Sequence, residues 1–336
     1  MARERVQLNY ICQRYMIRVI DVKARGDHYV LETNRGPKEL HIWPRLDVLR
    51  WSFSWREQLA RQGVREIERF IRTRDAKPYV IVRKIGFTLS DHLRDAKAFT
   101  PALEHAHQCG QLAARMHQAQ AGTEYLPVVD LLRREQNHLS SEMKRARDSY
   151  RQLRQAAGER SRTAKWVMEQ FPALLERMER SVELLHSPLL KEEDLAPSHF
   201  SLGPENWAWL DGRLILRGFY HSRLSVQPRD IASYLKYLYQ QDGQLAQVEA
   251  FLNGYEQIKP LRYEEYLLLL AFLAFPADAW EQVEPFVADG RGTEPDAEAV
   301  EALKHTLRRQ QELDRLLWYL AQRTERSGRG IAHEPI

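Results

Sequence analysis

Residues 199–216 read His199-Phe200-Ser201-Leu202-Gly203-Pro204-Glu205-Asn206-Trp207-Ala208-Trp209-Leu210-Asp211-Gly212-Arg213-Leu214-Ile215-Leu216. The second half is a short hairpin. Trp207-Ala208-Trp209-Leu210 and Arg213-Leu214-Ile215-Leu216 flank Asp211-Gly212, the kind of dipeptide a type I′ turn prefers because both of its central residues take positive φ. The first half follows neither the helical nor the strand period. It is a loop that starts on His199, suited to orienting it, and ends on Asn206, suited to holding a metal or capping the start of the strand.

On both sides of this hairpin the pattern is helical. Residues 101–120 repeat with a 3.6 period and stop near Ala121-Gly122, and residues 129–157 form a long polar helix region. After a break at Gly158 another helix runs toward His186-Ser187-Pro188. Downstream, residues 228–241, 244–255, 263–275 and 298–322 have helical spacing, and the last dozen residues read as a frayed tail. The first ninety residues differ. Residues 16–22 and 28–33 alternate around Arg25-Gly26-Asp27, residues 39–43 follow the turn Asn34-Arg35-Gly36-Pro37, residues 46–62 are helical up to Gly63, and residues 77–82 return to strand character. A small antiparallel β lobe with one helix, a large helical lobe and a lone hairpin within it predict an α+β, bilobal, protein kinase-like fold. The expected divisions are residues 1–95, residues 96–322 with the loop and hairpin at 199–217, and a flexible tail at 323–336. In such a fold the catalytic loop precedes the hairpin and the metal-binding carboxylate follows it.

Composition sets the limits. At roughly 100–200 residues per domain, 336 residues suit two lobes, and 43% hydrophobic residues with 8 Trp exclude wholesale disorder. A net charge of +4 is too mild for a nucleic-acid binder, although 39 of the 50 cationic residues are Arg. Residues 133–165 carry +6, either as a solvated helical face or as a docking surface for an acidic partner. The longest apolar run, residues 266–275, is half of the roughly 20 residues a spanning helix needs, so no transmembrane segment is expected. The N-terminus lacks an apolar export core, and two cysteines exclude a disulfide scaffold, so an intracellular protein is expected. His105 and Cys109 stand i, i+4 without a second ligand pair, so no metal is expected there. Trp51, Phe53 and Trp55 suit either a core or an exposed interaction patch.

Five stretches in order resemble the aminoglycoside phosphotransferase/choline kinase superfamily, and within it the CotS/YutH-type endospore coat proteins. Gly36-Pro37-Lys38-Glu39-Leu40-His41 sits where the family writes G-x-x-x-L-K. Residues 109–117, ending in His117, look like its G-x-x-L-A-x-x-H helix. His199 to Asn206 is similar to H-G-D-x-x-x-x-N, and Pro228-Arg229-Asp230-Ile231-Ala232 resembles the P-x-x-D-L-A helix start. Residues 270–280 resemble the L-x-F-P-x-x-F/W segment of the coat group. The resemblance spans about residues 10–290.

The departures from the family pattern bear on function. The family's catalytic Asp falls at Ser201, whose hydroxyl cannot accept a substrate proton as a carboxylate does. Leu216-Arg217-Gly218 occupies the place of the metal-binding Asp. The hairpin is short enough for a register slip, but residues 212–229 contain no acidic residue at all. The phosphate-anchoring Lys is replaced by His41, while Glu57 on the first helix is expected at the family's ion-pair position. His41, Glu57, Asn206 and Arg217 are therefore the candidate nucleotide-cleft residues. Either Arg217 and His41 receive phosphate without magnesium, or Arg217 fills the cleft and pairs with Glu57 or another carboxylate. Asp230 is expected to cap its helix or to orient the loop. The resemblance thus implies a catalytically degenerate kinase-like protein of the endospore coat, with no catalytic residue, metal or cofactor. It would be made in the mother-cell cytoplasm and bound to other coat proteins. The alternatives are a small-molecule kinase using ATP and magnesium at an atypical site, or a nucleotide-sensing scaffold.

Overall fold

The computed structural model describes all residues except 1, 27, 93–96, 99–102, 120–125, 156–161, 187–189, 211, 289–296 and 332–336. The turn residues Asp27 and Asp211 and the breaks at Ala121-Gly122, Gly158 and Ser187-Pro188 therefore lie outside the described residues. The fold is α+β, as the sequence predicts.

The small lobe is a five-stranded antiparallel sheet of β1 (Val19–Arg25), β2 (His28–Thr33), β3 (Lys38–Trp43), β4 (Val80–Val82) and β5 (Ile85–Asp91), in the order β1-β2-β3-β5-β4. Strand periodicity gives the sheet two unlike faces. Leu40 lies opposite Leu89 and Ile42 opposite Phe87 on one face. On the other, Glu39 lies opposite Ser90 and His41 opposite Thr88. The apolar face is covered by α1 (Ala2–Arg14), whose Leu8, Ile11 and Cys12 pack on Leu31, Leu40, Phe87 and Leu89. The polar face is left to meet the other lobe.

Two elements of this lobe depart from the sequence expectation. Helix α1 adds a second helix where one was expected; its few apolar residues sit among charged ones and leave a weak helical signature. The interior strand β5, between β3 and β4, also went unpredicted. Its turn from β4 is Arg83-Lys84, both at positive φ (50° and 66°), so a turn geometry normally written Asn-Gly is here built from residues that do not announce it. Helix α2 (Leu46–Arg61) matches its expectation, and Trp51 and Trp55 are fully buried, which assigns both to the core.

The large lobe holds α3 (Leu103–Gln118), α4 (Val128–Gln155), α5 (Arg162–His186), α6 (Pro228–Asp242), α7 (Leu245–Glu256), α8 (Tyr263–Ala274), α9 (Ala277–Ala288) and α10 (Ala297–Ile331). α8 and α9 together, Tyr263–Pro285, are long and apolar enough to cross a membrane by composition alone, but they break at Phe275-Pro276 and 61% of the apolar window is buried in the core. The expected flexible tail is instead helical through Ile331: Arg323 bonds to Tyr266 (2.9 Å) and pairs with Glu256, and Thr324 is buried. Its glycines concealed these anchors.

Between α5 and α6, β7 (Ala196–Ser198) pairs antiparallel with β10 (Arg223–Ser225), closing the base of residues 199–222. Inside that base lies the hairpin of β8 (Trp207–Leu210) and β9 (Arg213–Leu216), which β6 (Lys97–Ala98) extends along β8. The segment after α2 runs beside the hairpin: Glu68 N–H donates to the Leu216 carbonyl (2.8 Å) and Leu216 N–H to Glu66 (2.9 Å). Ile71 N–H then donates to Leu89 of the sheet (2.7 Å). The chain thereby ties the hairpin to the sheet of the small lobe.

Candidate functional site

The loop 199–206 is held from behind by Asp230, in the first turn of α6 and 2% exposed. One carboxylate oxygen accepts the His199 N–H (2.5 Å) and the other the Phe200 N–H (2.7 Å). The former also meets His117 Nε2 at 3.2 Å. Of the two roles expected for Asp230, the geometry is that of orienting the loop. Phe200 takes a left-handed conformation (φ 67°), a strained choice for a non-glycine residue that persists where neighbours over-determine it.

The His199 ring ties this loop to the far end of the hairpin. With Nε2 protonated it donates to the Arg217 carbonyl (2.7 Å), leaving Nδ1 to accept the Ser201 N–H (3.3 Å), so one neutral tautomer satisfies both bonds. Burial pushes its pKa down to about 4. Asn206 Nδ2 donates to the Ser201 carbonyl and hydroxyl (both 2.8 Å), and the Asn206 carbonyl accepts the Arg217 N–H (2.8 Å). A Cβ at Gly218 would strike the Asn206 side chain, and φ there is +80°, so glycine is required on both counts. His199, Ser201, Asn206 and Arg217 thus form one hydrogen-bonded unit.

Loop, hairpin and sheet now stand in the order the sequence resemblance implied. The family model described as spore coat putative kinase YutH matches residues 44–320. The chain belongs to that family. Several solved structures share the fold of this YutH-family protein. An aminoglycoside phosphotransferase from Alicyclobacillus acidocaldarius superposes with a TM-score of 0.78 at 16% identity, covering 94% of this chain and 96% of that one. A spectinomycin phosphotransferase gives 0.65 at 13% (90% and 93% covered) and an amicoumacin kinase 0.57 at 14% (94% and 93%). No curated protein sequence matches the chain. At these identities the likeness establishes a kinase-like fold.

In the YutH-family cleft the Arg217 side chain reaches across to β3 and pairs with Glu39 at 2.5 Å. Glu39 also meets His92 Nδ1 (2.6 Å) and His41 Nε2 (3.4 Å). Burial alone would raise the Glu39 pKa, but these partners, His41 and Arg217 foremost, hold it far below the ordinary carboxylate range. A second buried carboxylate, Glu68, accepts the Tyr220 hydroxyl (2.9 and 3.1 Å) and lies 3.9 Å from the Arg56 guanidinium. His41 stacks on Tyr220 with centroids 3.7 Å apart. Ligand atoms of Glu39, His41 and Glu68 lie within 4.8 Å of one another, the arrangement of a metal cluster. Two guanidiniums, however, already balance its two carboxylates.

Glu57 is not part of this cluster. It pairs with Arg72 (3.2 Å), half-exposed on the surface, while its neighbour Arg56 is the α2 residue that faces inward. Helix α2 turns Arg56 rather than Glu57 toward the cleft, and Glu68, from the irregular segment beyond it, supplies the carboxylate near His41. Glu39, Arg56, Glu68, His92 and Tyr220 are the participants that sequence reasoning missed. Only Glu39 had a signal: it stands two residues from His41 on one strand and must share its face. The remaining candidate pair is packed away from the cleft, His105 against the Trp209 ring (4.7 Å) and Cys109 fully buried.

Proposed function

We propose that this YutH-family protein is a catalytically degenerate kinase that serves as a structural or assembly component of the spore coat. The Arg217–Glu39 ion pair carries this reading. Phosphoryl transfer depends on positioning and on neutralising the phosphates, through a base, metal carboxylates and a cationic anchor. Each of those positions has another occupation here. Ser201 takes the place of the base and accepts a hydrogen bond from Asn206. Magnesium demands an octahedral set of oxygen ligands, but a guanidinium stands where its carboxylate belongs, and Glu39 and Glu68 are engaged by Arg217 and Tyr220. His41, stacked on a phenol ring, is a poor substitute for a lysine ammonium. The residues present do not fit magnesium-ATP.

The family name and the intact, well-buried fold support a scaffold role, made in the mother cell and recruited to the forespore surface by other coat proteins. Thermal melting with ATP, with and without magnesium, tests the first half of the reading. The expected result is no magnesium-dependent rise in Tm and no ATP hydrolysis above background. A magnesium-dependent rise would overturn it in favour of a nucleotide sensor, and phosphate transfer to an alcohol or amine in favour of a kinase. A fluorescent fusion in sporulating cells tests the second half: a ring at the forespore is expected, and diffuse fluorescence refutes it.

A further inference from the structure

A separate cavity of about 630 Å³ opens between the start of α2, the first half of α4 and residues 220–224. That volume lies in the range of small-molecule sites. Its lining is strongly cationic: Arg45, Arg133, Arg134, Arg223 and Arg229 against the carboxylates Glu135 and Glu142. Both carboxylates are already committed, Glu135 to Arg229 (3.4 Å) and Glu142 to Arg145 and the Trp280 N–H (3.3 Å). Arg45 pairs with Asp47 (2.6 Å) and Arg133 lies 3.8 Å from Asp130. Among the described residues, Arg134 and Arg223 have no carboxylate within ion-pair distance.

The unpaired charge is concentrated by the packing. Arg223 and Arg229 both lie over the Phe200 ring, at 3.0 and 4.6 Å from its centroid. His138 accepts from Arg229 (2.8 Å), so this imidazole is neutral and neither adds to nor offsets the positive charge. Burial, with Arg229 nearby, pushes Arg223 down to about 10. Like charges gathered in a concave site repel one another until an anion neutralises them, and guanidinium forks match phosphate and carboxylate oxygens. Farther along α4 the basic run is spent differently: Arg145 pairs with Glu284 (3.4 Å) and Arg147 with Glu179 (2.6 Å).

We propose that this cavity binds a small anion bearing at least two acidic groups, phosphate or carboxylate, with Arg134 and Arg223 as its principal contacts. Its sign disfavours a polycation such as an aminoglycoside. The test is calorimetric titration of the full chain at fixed ionic strength with inorganic pyrophosphate, with citrate and with spermidine. Saturable one-to-one binding of pyrophosphate or citrate is expected, the stronger of the two identifying the acid group, with none of spermidine. Arg134→Gln and Arg223→Gln should each weaken binding at least ten-fold, and Arg180→Gln, a surface arginine of α5 paired with Glu176, should not change it. Arg134 is exposed on α4, so its variant keeps the fold even if Arg223→Gln does not. Absence of saturable anion binding overturns the proposal. So does binding that Arg134→Gln leaves intact, or that Arg180→Gln weakens equally.

Discussion

Arg217→Ala is the substitution that bears most directly on the cleft. Its partner Glu39 is 5% exposed and the Arg217 side chain 18%. Removing one member of a buried pair typically costs about 3–5 kcal/mol, because the other charge is left without compensation. Here Glu39 keeps His92 at 2.6 Å and His41 at 3.4 Å, and Arg217 lies at the edge of the buried region. The expected loss is therefore about 2–3 kcal/mol, below that range. Urea unfolding followed by tryptophan fluorescence reads it as a lower midpoint at unchanged slope. Glu39→Gln keeps the shape without the charge. In the double variant the losses should fall short of their sum by about 1.5 kcal/mol or more, the signature of coupled neighbours. The pH dependence has a fixed sign. Glu39 is held below its unfolded pKa, so its contribution is present above about pH 4.3 and is lost as the solution is acidified; Glu39→Gln flattens that acid limb. Additive losses would refute the reasoning, because an uncoupled Arg217 would be free to receive phosphate.

Gly110→Ala should destabilise by about 3 kcal/mol, since its Cβ would collide with the Phe251 carbonyl where α3 crosses α7. A Tm drop of about 6 °C checks it. Asp230→Asn turns one of two accepting oxygens into a donor facing a backbone N–H, costing about 2 kcal/mol. Hydrogen exchange should then accelerate at the His199 and Phe200 amides and remain unchanged along α8. His199 and His138 are both pushed down to about 4 by burial. Their contribution is full above the unfolded value near 6.5 and is lost as pH falls toward 4, at up to about 3 kcal/mol for the fully buried His199. His138→Gln should make the melting temperature fall less steeply across that window.

The lobes, most helices and the 199–206 loop were legible because their signals are local: 3.6-residue spacing, an Asp-Gly turn, a His and an Asn at fixed separation. What escaped depends on partners distant in sequence. The Arg83-Lys84 turn takes its positive φ values from the pairing of β4 with β5, and α1 is fixed by the sheet face it covers, so neither is encoded in its own residues. Arg217 was recognisable as a misplaced cation, but its partner lies 178 positions away, on the polar face of a strand that no local signal links to it. Glu57 and Glu68 illustrate the same limit: the expected carboxylate sits at the surface beside Arg72, and one eleven residues later stands near His41.

The placement of these pairs has a mechanical consequence. A kinase must part its lobes to admit nucleotide and release product. In this protein Arg217 joins the end of the hairpin to β3 through Glu39, and Tyr220 beside it bonds Glu68 and stacks on His41. The segment carrying Glu68 is itself hydrogen-bonded to Leu216 on one side and, at Ile71, to the sheet on the other. Opening the cleft would therefore separate a buried ion pair, a charge-assisted hydrogen bond and a stacked ring pair together, exposing Glu39 to the cost of an unpaired buried charge. Under the proposed function, these contacts at the hairpin end would hold the two lobes together, as an assembly component requires and a turnover cycle does not.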